Sequence, residues 1–189
     1  MCGIAARPIS RCETLGKMVK FLLGLLIGLL IFPAWCYWYV RSGRMPVATA
    51  APPLPMERQL AHMALNFQIE KSAPEKPGVP ADEPNLMAGA KLYVAQCAVC
   101  HGVPADQKSA IAKGMFPDPP QLFHLTGVTD DPPGESFWKI QNGIRLTGMP
   151  GFKDSLTDTQ MWQIAQLVAT GNKVPASVSD FLKKNAPKY

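Results

Sequence analysis

The chain has 189 residues, 47% of them hydrophobic and 17% charged, with 19 prolines and 15 glycines. That is apolar enough for a packed core and too apolar for a wholly disordered chain, and the length suits one domain with an added anchor or tail. The formal charge of +5 is unevenly placed: residues 1–44 hold six basic residues and one acidic, and residues 45–189 hold thirteen of each. A body with no excess of positive charge excludes nucleic acid as a partner, because such surfaces need clustered cations.

The basic excess brackets a hydrophobic run. Phe21 to Val40 is a stretch of 20 uncharged residues, enough to cross a hydrocarbon core of about 30 Å as a helix. Trp35, Tyr37, Trp38 and Tyr39 crowd its C-terminal end, where amphipathic rings suit the headgroup layer. Pro33 is tolerable in such a helix. More basic residues precede the run than follow it, so the positive-inside rule puts the N-terminus in the cytoplasm and the rest of the chain outside. Residues 1–20 are then a short cytoplasmic segment and 21–40 a single-pass anchor; Met1 and Met18 are both possible starts. The alternative is a cleaved signal sequence, since Ala48-Thr49-Ala50 fits a small-x-small cleavage site. That site lies well beyond the aromatic cluster and behind Arg41 and Arg44, which favours the retained anchor.

Residues 41–84 carry eight prolines and read as a semi-rigid tether. Within it Glu57–Ser72 is free of proline, and Leu60, Met63, Ala64 and Phe67 recur at helical spacing. A short amphipathic helix packing on the following domain is expected, with docking on a partner subunit as the other option.

The chemistry begins at Cys97-Ala98-Val99-Cys100-His101, a C-x-x-C-H haem c attachment motif. Two thiols three positions apart at a helix end can each add to one haem vinyl group, and the adjacent imidazole then reaches the iron. A thioredoxin-like pair would need surrounding strands, which the pattern lacks. A zinc site would need further ligands, and the other cysteines, Cys2, Cys12 and Cys36, lie before or within the apolar run.

Helical patterns flank the motif. Leu86, Ala90, Tyr93 and Val94 share a face leading into Cys97, with Gly89 allowing close approach on another. Glu135–Asn142 forms a short helix stopped by Gly143. Leu156–Val168 forms a third, with a Thr157/Gln160 capping box, a buried stripe of Met161, Ile164, Ala165 and Val168, and Gly171 as its stop. Three such helices around a large apolar plate give a small domain the core it otherwise lacks.

With these elements in place, residues 85–170 resemble a class I c-type cytochrome, the all-α mono-haem fold. The resemblance rests on Gly89-Ala90-Lys91-Leu92-Tyr93, on Pro119-Pro120-Gln121-Leu122, on Asn142-Gly143-Ile144 with Gly148-Met149-Pro150, and on Trp162. It implies three core helices around one haem c held through Cys97 and Cys100. It also implies His101 and Met149 as axial iron ligands, a Pro120 carbonyl supporting the imidazole, and Gly89 at a helix crossing. Met115 and His124 are the other candidates for the sixth position. Met115 reads as core, and His124 as a surface or propionate-side residue in a proline-rich loop over 102–134. The domain is expected over 85–175, with a C-terminal tail at 176–189.

With both axial positions closed, the expected function is single-electron transfer between protein partners at the outer face of a bacterial cytoplasmic membrane. No catalytic residue and no small-molecule substrate are implied. Anchored members of the family resemble haem c subunits of respiratory complexes, so a respiratory or dehydrogenase complex is the expected partner. The alternative is a haem peroxidase or gas sensor with an open sixth site, using His124 as its acid–base group.

Overall fold

A computed structural model of the chain describes residues 10–104, 107–123 and 131–187. Among the described residues there are helices and no strands, and the chain divides into two units, Met1–Val47 and Ala48–Tyr189.

The first unit is dominated by α1, Ser10–Arg41, which runs unbroken through Pro33. Its segment Leu15–Arg41 is long and apolar enough to cross a membrane. The helix begins well before the hydrophobic run, because Leu15, Lys17 and Met18 are good helix formers and no proline separates them from Phe21. At its C-terminal end Trp35 and Tyr39 stack with ring centroids 5.7 Å apart, and the Arg44 guanidinium lies 4.9 Å from the Trp38 ring centroid.

The second unit carries α2 (Glu57–Ser72), α3 (Glu83–Gln96), α4 (Ala98–His101), α5 (Ala110–Lys113), α6 (Pro133–Asn142), α7 (Asp158–Thr170) and α8 (Ala176–Lys184). Its core lies where α3, α6 and α7 meet. Leu86, Ala90 and Tyr93 from α3 pack with Phe137 and Ile140 from α6 and Met161, Ile164 and Ala165 from α7. Phe137 and Trp162 stack at 4.2 Å between centroids, and Tyr93 meets Phe123 edge-on at 5.3 Å. The helix ends follow the local sequence. Asp82 caps α3 by accepting from Asn85 N, and Thr157 and Gln160 form the expected capping box on α7. Gly143 and Gly171 end α6 and α7 at φ 66° and 54°, angles that residues with a Cβ avoid.

Three expectations need correction. The segment expected as a C-terminal tail contains α8, whose Val178 and Leu182 are completely buried in the same core. Pro175 starts this helix, and the two side chains, four positions apart, both face α3. Nor is the 41–84 segment all free tether, because its second half lies on the helices. Gln166 Nε2 donates to the Val79 carbonyl at 2.7 Å, and a Cβ on Gly134 would stand 1.9 Å from the Pro74 oxygen. Finally, α2 does pack on α6, but the residue it buries is Ile69, which is 4% exposed. The anticipated stripe is turned outward, with Leu60 and Phe67 53% and 65% exposed.

Candidate functional site

The attachment motif sits where α3 ends. Cys97 closes α3 by donating its N–H to the Tyr93 carbonyl, and the chain re-enters one helical turn, so that Cys100 and His101 both donate N–H groups to the Cys97 carbonyl. This turn brings the two thiols and the imidazole to a common cleft. Four neighbours clamp its backbone. Tyr93 Oη donates to Gly102 O at 2.8 Å, Ser109 Oγ to Val99 O at 2.6 Å, Gln121 Nε2 to Cys100 O at 2.9 Å, and Leu122 N to His101 O at 3.2 Å. Such anchoring holds the ring-bearing segment without using the ring itself.

His101 is fixed through its own side chain. Its Nδ1 lies 2.8 Å from the Pro120 carbonyl oxygen. That oxygen can only accept, so Nδ1 carries the proton and Nε2 keeps its lone pair. Burial holds the imidazole below its ordinary pKa, and the bond to Pro120 offsets this only in part. The result is a neutral, oriented imidazole, the form that binds a metal.

Burial also pushes the Cys97 thiol up to about 12, with Cys100 adding a smaller push in the same direction. A thiol protonated at neutral pH is the opposite of the low-pKa thiolate of disulfide-exchange proteins. A zinc site has no better support. Among the described residues no three His, Cys, Asp or Glu side chains gather to hold a metal ion.

The cleft has a volume of about 700 Å³, part of it open to solvent. Cys97, Cys100 and His101 border it with Pro120, and Met149 reaches it from the turn after α6. Ile140, Ile144 and Phe152 make much of the remaining wall. The turn bearing Met149 is tightly folded. Met149 N donates to Thr147 Oγ1 at 3.1 Å, Thr147 Oγ1 donates to Ile144 O at 2.7 Å, and Ile144 N donates to Met149 O at 3.2 Å. A Cβ on Gly143 would stand 2.5 Å from Gly151 N, so only glycine lets the two ends of the turn meet.

The structure thus brings all five site residues named from the sequence, Cys97, Cys100, His101, Pro120 and Met149, to one cleft. His124 lies outside the described residues. Met115, read from the sequence as core, lines the cleft instead, as Pro117 to Pro120 do after it. Ser109 and Thr147 were missed. Ser109 was legible as the N-cap of a short helix, its Oγ accepting from Ala112 N at 3.0 Å. Thr147 was legible as a serine/threonine turn.

The residues fit a haem c in the chemistry of their donors: two thiols, a neutral imidazole and a thioether around an apolar cleft. An all-α fold that leaves such a cleft beside α3, α6 and α7 is that of a c-type cytochrome domain. The sequence comparisons agree. Residues 84–168 match the family model described as cytochrome c oxidase, cbb3-type, subunit III. A 94-residue stretch is 36% identical to the quinohemoprotein alcohol dehydrogenase ADH-IIG of Pseudomonas putida, covering 49% of this chain and 11% of that enzyme. Among solved structures, the reducing HAO-like protein complex of Kuenenia stuttgartiensis superposes with a TM-score of 0.43 at 22% identity, covering 50% of this chain and 46% of that one. The chain therefore spans only a small part of the curated enzyme.

Proposed function

We propose that the chain is a membrane-anchored electron carrier with one haem c, joined through thioethers to Cys97 and Cys100. His101 Nε2 and the Met149 thioether are the axial ligands, and the Pro120 carbonyl steers the imidazole. When bound, the haem supplies reversible one-electron chemistry at its iron. The chain's own residues orient the imidazole, close the sixth position and keep water from the iron. The observation that carries this reading is the meeting of the C-x-x-C-H turn and the Met149 turn on one apolar cleft. Closed axial positions leave no room for a substrate, so electrons pass through brief contacts with other proteins.

In this reading residues 1–20 are cytoplasmic and 21–40 span the bacterial cytoplasmic membrane once. Residues 41–84 lead to a haem domain on the periplasmic face, which takes in the core from residue 85 and includes α8. Partners of stated class follow from the relatives: a dehydrogenase that supplies electrons, or a respiratory oxidase that accepts them. The domain beyond the span is neutral overall, so partner contact does not depend on long-range charge steering.

Carbon monoxide tests the reading. The ferrous protein should bind it slowly or not at all, and the ferric protein should show the sulfur-to-iron charge-transfer absorption. Rapid binding together with absence of that band would overturn electron transfer in favour of an open-site peroxidase or sensor.

A further inference from the structure

Met115 and Gly148 are 33 positions apart in the chain and touch in the fold. A Cβ built on Gly148 would stand 2.0 Å from the Met115 Cε and 3.5 Å from its Sδ. The thioether methyl therefore occupies the place where any other residue at 148 would put its first side-chain carbon. Gly148 does not have a left-handed backbone, so glycine is needed there for space and not for conformation. Both residues border the cleft with Met149.

The turn needs such a support. Leu146, at its tip, has a φ of 61° and is 94% exposed. A non-glycine residue in the left-handed region is strained, by about 1 kcal/mol or more, and an exposed side chain gives back no packing. The hydrogen bonds through Thr147 are local to the turn. They fix its shape without fixing where it stands over the cleft. Met115, arriving from the α5 side, packs on it from another element.

We propose that Met115 is a positioning residue for the sixth ligand: its terminal methyl, seated on the bare face of Gly148, holds the 144–150 turn so that the Met149 thioether stays on the iron. The proposal rests on the reading of Met149 as that ligand. Met115 does not itself touch the metal in this arrangement. It acts through the backbone of the residue before Met149. The methionine side chain suits the task, being unbranched and able to fill an irregular gap.

A one-atom exchange tests it in the full-length haem protein. Met115→Leu withdraws the outermost heavy atom from the contact, and Gly148→Ala adds one at the same place. In the double variant the new Cβ faces the leucine about where Sδ stands in the native protein, 3.5 Å away, an ordinary contact. Each single variant should weaken the sulfur-to-iron charge-transfer band of the ferric protein. Each should also speed carbon monoxide association to the ferrous protein by about fivefold or more, the effect of a lost contact of ordinary size. The double variant should recover both readouts to within about twofold of the native protein. Covalent haem on a denaturing gel checks that each variant has matured. If Gly148→Ala alone yields no haem protein and the double variant does, that rescue supports the contact.

Single variants that behave like the native protein, or a double variant as impaired as the two singles combined, would overturn the positioning role while leaving Met149 as ligand. A native protein that lacks the band and binds carbon monoxide rapidly defeats the ligand assignment first, and the role of Met115 falls with it.

Discussion

The Cα of Gly89 on α3 lies directly against the backbone of Gln163 on α7: a Cβ at Gly89 would stand 2.2 Å from the Gln163 carbonyl oxygen. Close to the same crossing, Gln163 Nε2 donates to Asn85 Oδ1 at 3.0 Å. The two helices that frame the core therefore meet backbone to backbone, and their separation is set by an absent side chain. Since the opposing atom is main chain, it cannot swing aside.

Gly89→Ala is expected to lower the stability of the haem protein by about 1–3 kcal/mol, the range for forced overpacking. The contrast is Gly114→Ala. There a Cβ would find only ordinary contacts at 3.6 Å, and the backbone is right-handed helical, so a gain of about 0.4–1 kcal/mol is expected from the stiffer unfolded chain. Thermal or urea unfolding of the two variants checks both signs. Equal effects would mean that the crossing is looser than the geometry states.

Much of this was legible in the sequence, and the reasons are local. Leu86, Ala90 and Tyr93 announced α3 through helical spacing, and Thr157 with Gln160 announced the start of α7. The five-residue attachment motif announced the cleft. What escaped depends on contacts between distant segments. Val178, Phe181 and Leu182 stand at helical spacing and were legible as a short amphipathic helix, but that Val178 and Leu182 are buried against α3 is a contact between distant segments. Leu60, Met63 and Phe67 formed a clear stripe on α2, but the residue buried on that helix is Ile69, on its other side. Met115 could not be placed at the cleft from sequence, because its partner Gly148 belongs to a different loop.

The linker contact gives a second prediction. Gly134 opens α6 directly beneath Pro74, with no room for a Cβ, and Gln166, 6% exposed, spends its amide on the Val79 carbonyl. Gly134→Ala should lift residues 73–80 from the helices, and Gln166→Leu should weaken the same contact by about 1–3 kcal/mol by leaving a carbonyl unpaired. Limited proteolysis followed by mass spectrometry should find faster cleavage within 73–80 in both variants, with the haem spectrum unchanged. Cleavage rates equal to those of the native protein would show this half of the linker to be free already.

Attachment through the motif is checked chemically. Cys97→Ala together with Cys100→Ala should abolish haem staining on a denaturing gel, whereas Cys36→Ser, altering a thiol in α1, should leave staining intact. Single cysteine variants should keep at most one thioether, with the pyridine haemochrome band shifted accordingly. Covalent haem in the double variant would overturn the assignment.

The proposed role of Met149 as sixth ligand can be read as a potential. A thioether stabilises ferrous over ferric iron relative to a second imidazole. Met149→His should therefore lower the reduction potential by on the order of 0.1 V or more, within the span of about 0.8 V that axial ligands cover, while the iron remains six-coordinate. Met149→Ala should open a site that cyanide or carbon monoxide fills. An unchanged potential in Met149→His, measured by equilibrium redox titration, would mean that another group already occupies the sixth position. His124 and Met115 would then be the next residues to replace.

The last prediction concerns the first unit. Leu15–Arg41 could cross a bilayer whether it is kept as an anchor or removed as a signal. The aromatic cluster favours keeping it: Trp35 stacks on Tyr39 and Arg44 covers Trp38, a set of contacts suited to an interface where rings meet headgroups and cations face water. The native protein should stay with membranes through alkaline carbonate extraction and dissolve only in detergent, and its intact mass should include this segment. Replacing residues 1–47 with a cleavable secretion signal should release a soluble protein with the same haem spectrum, since the second unit begins at Ala48 and contains every residue bordering the cleft. A native N-terminus found at Ala51, after the small-x-small site, would instead make the protein a soluble periplasmic carrier. The haem chemistry would stand in that case, and only the mode of reaching its partners, by diffusion along the membrane or through the periplasm, would change.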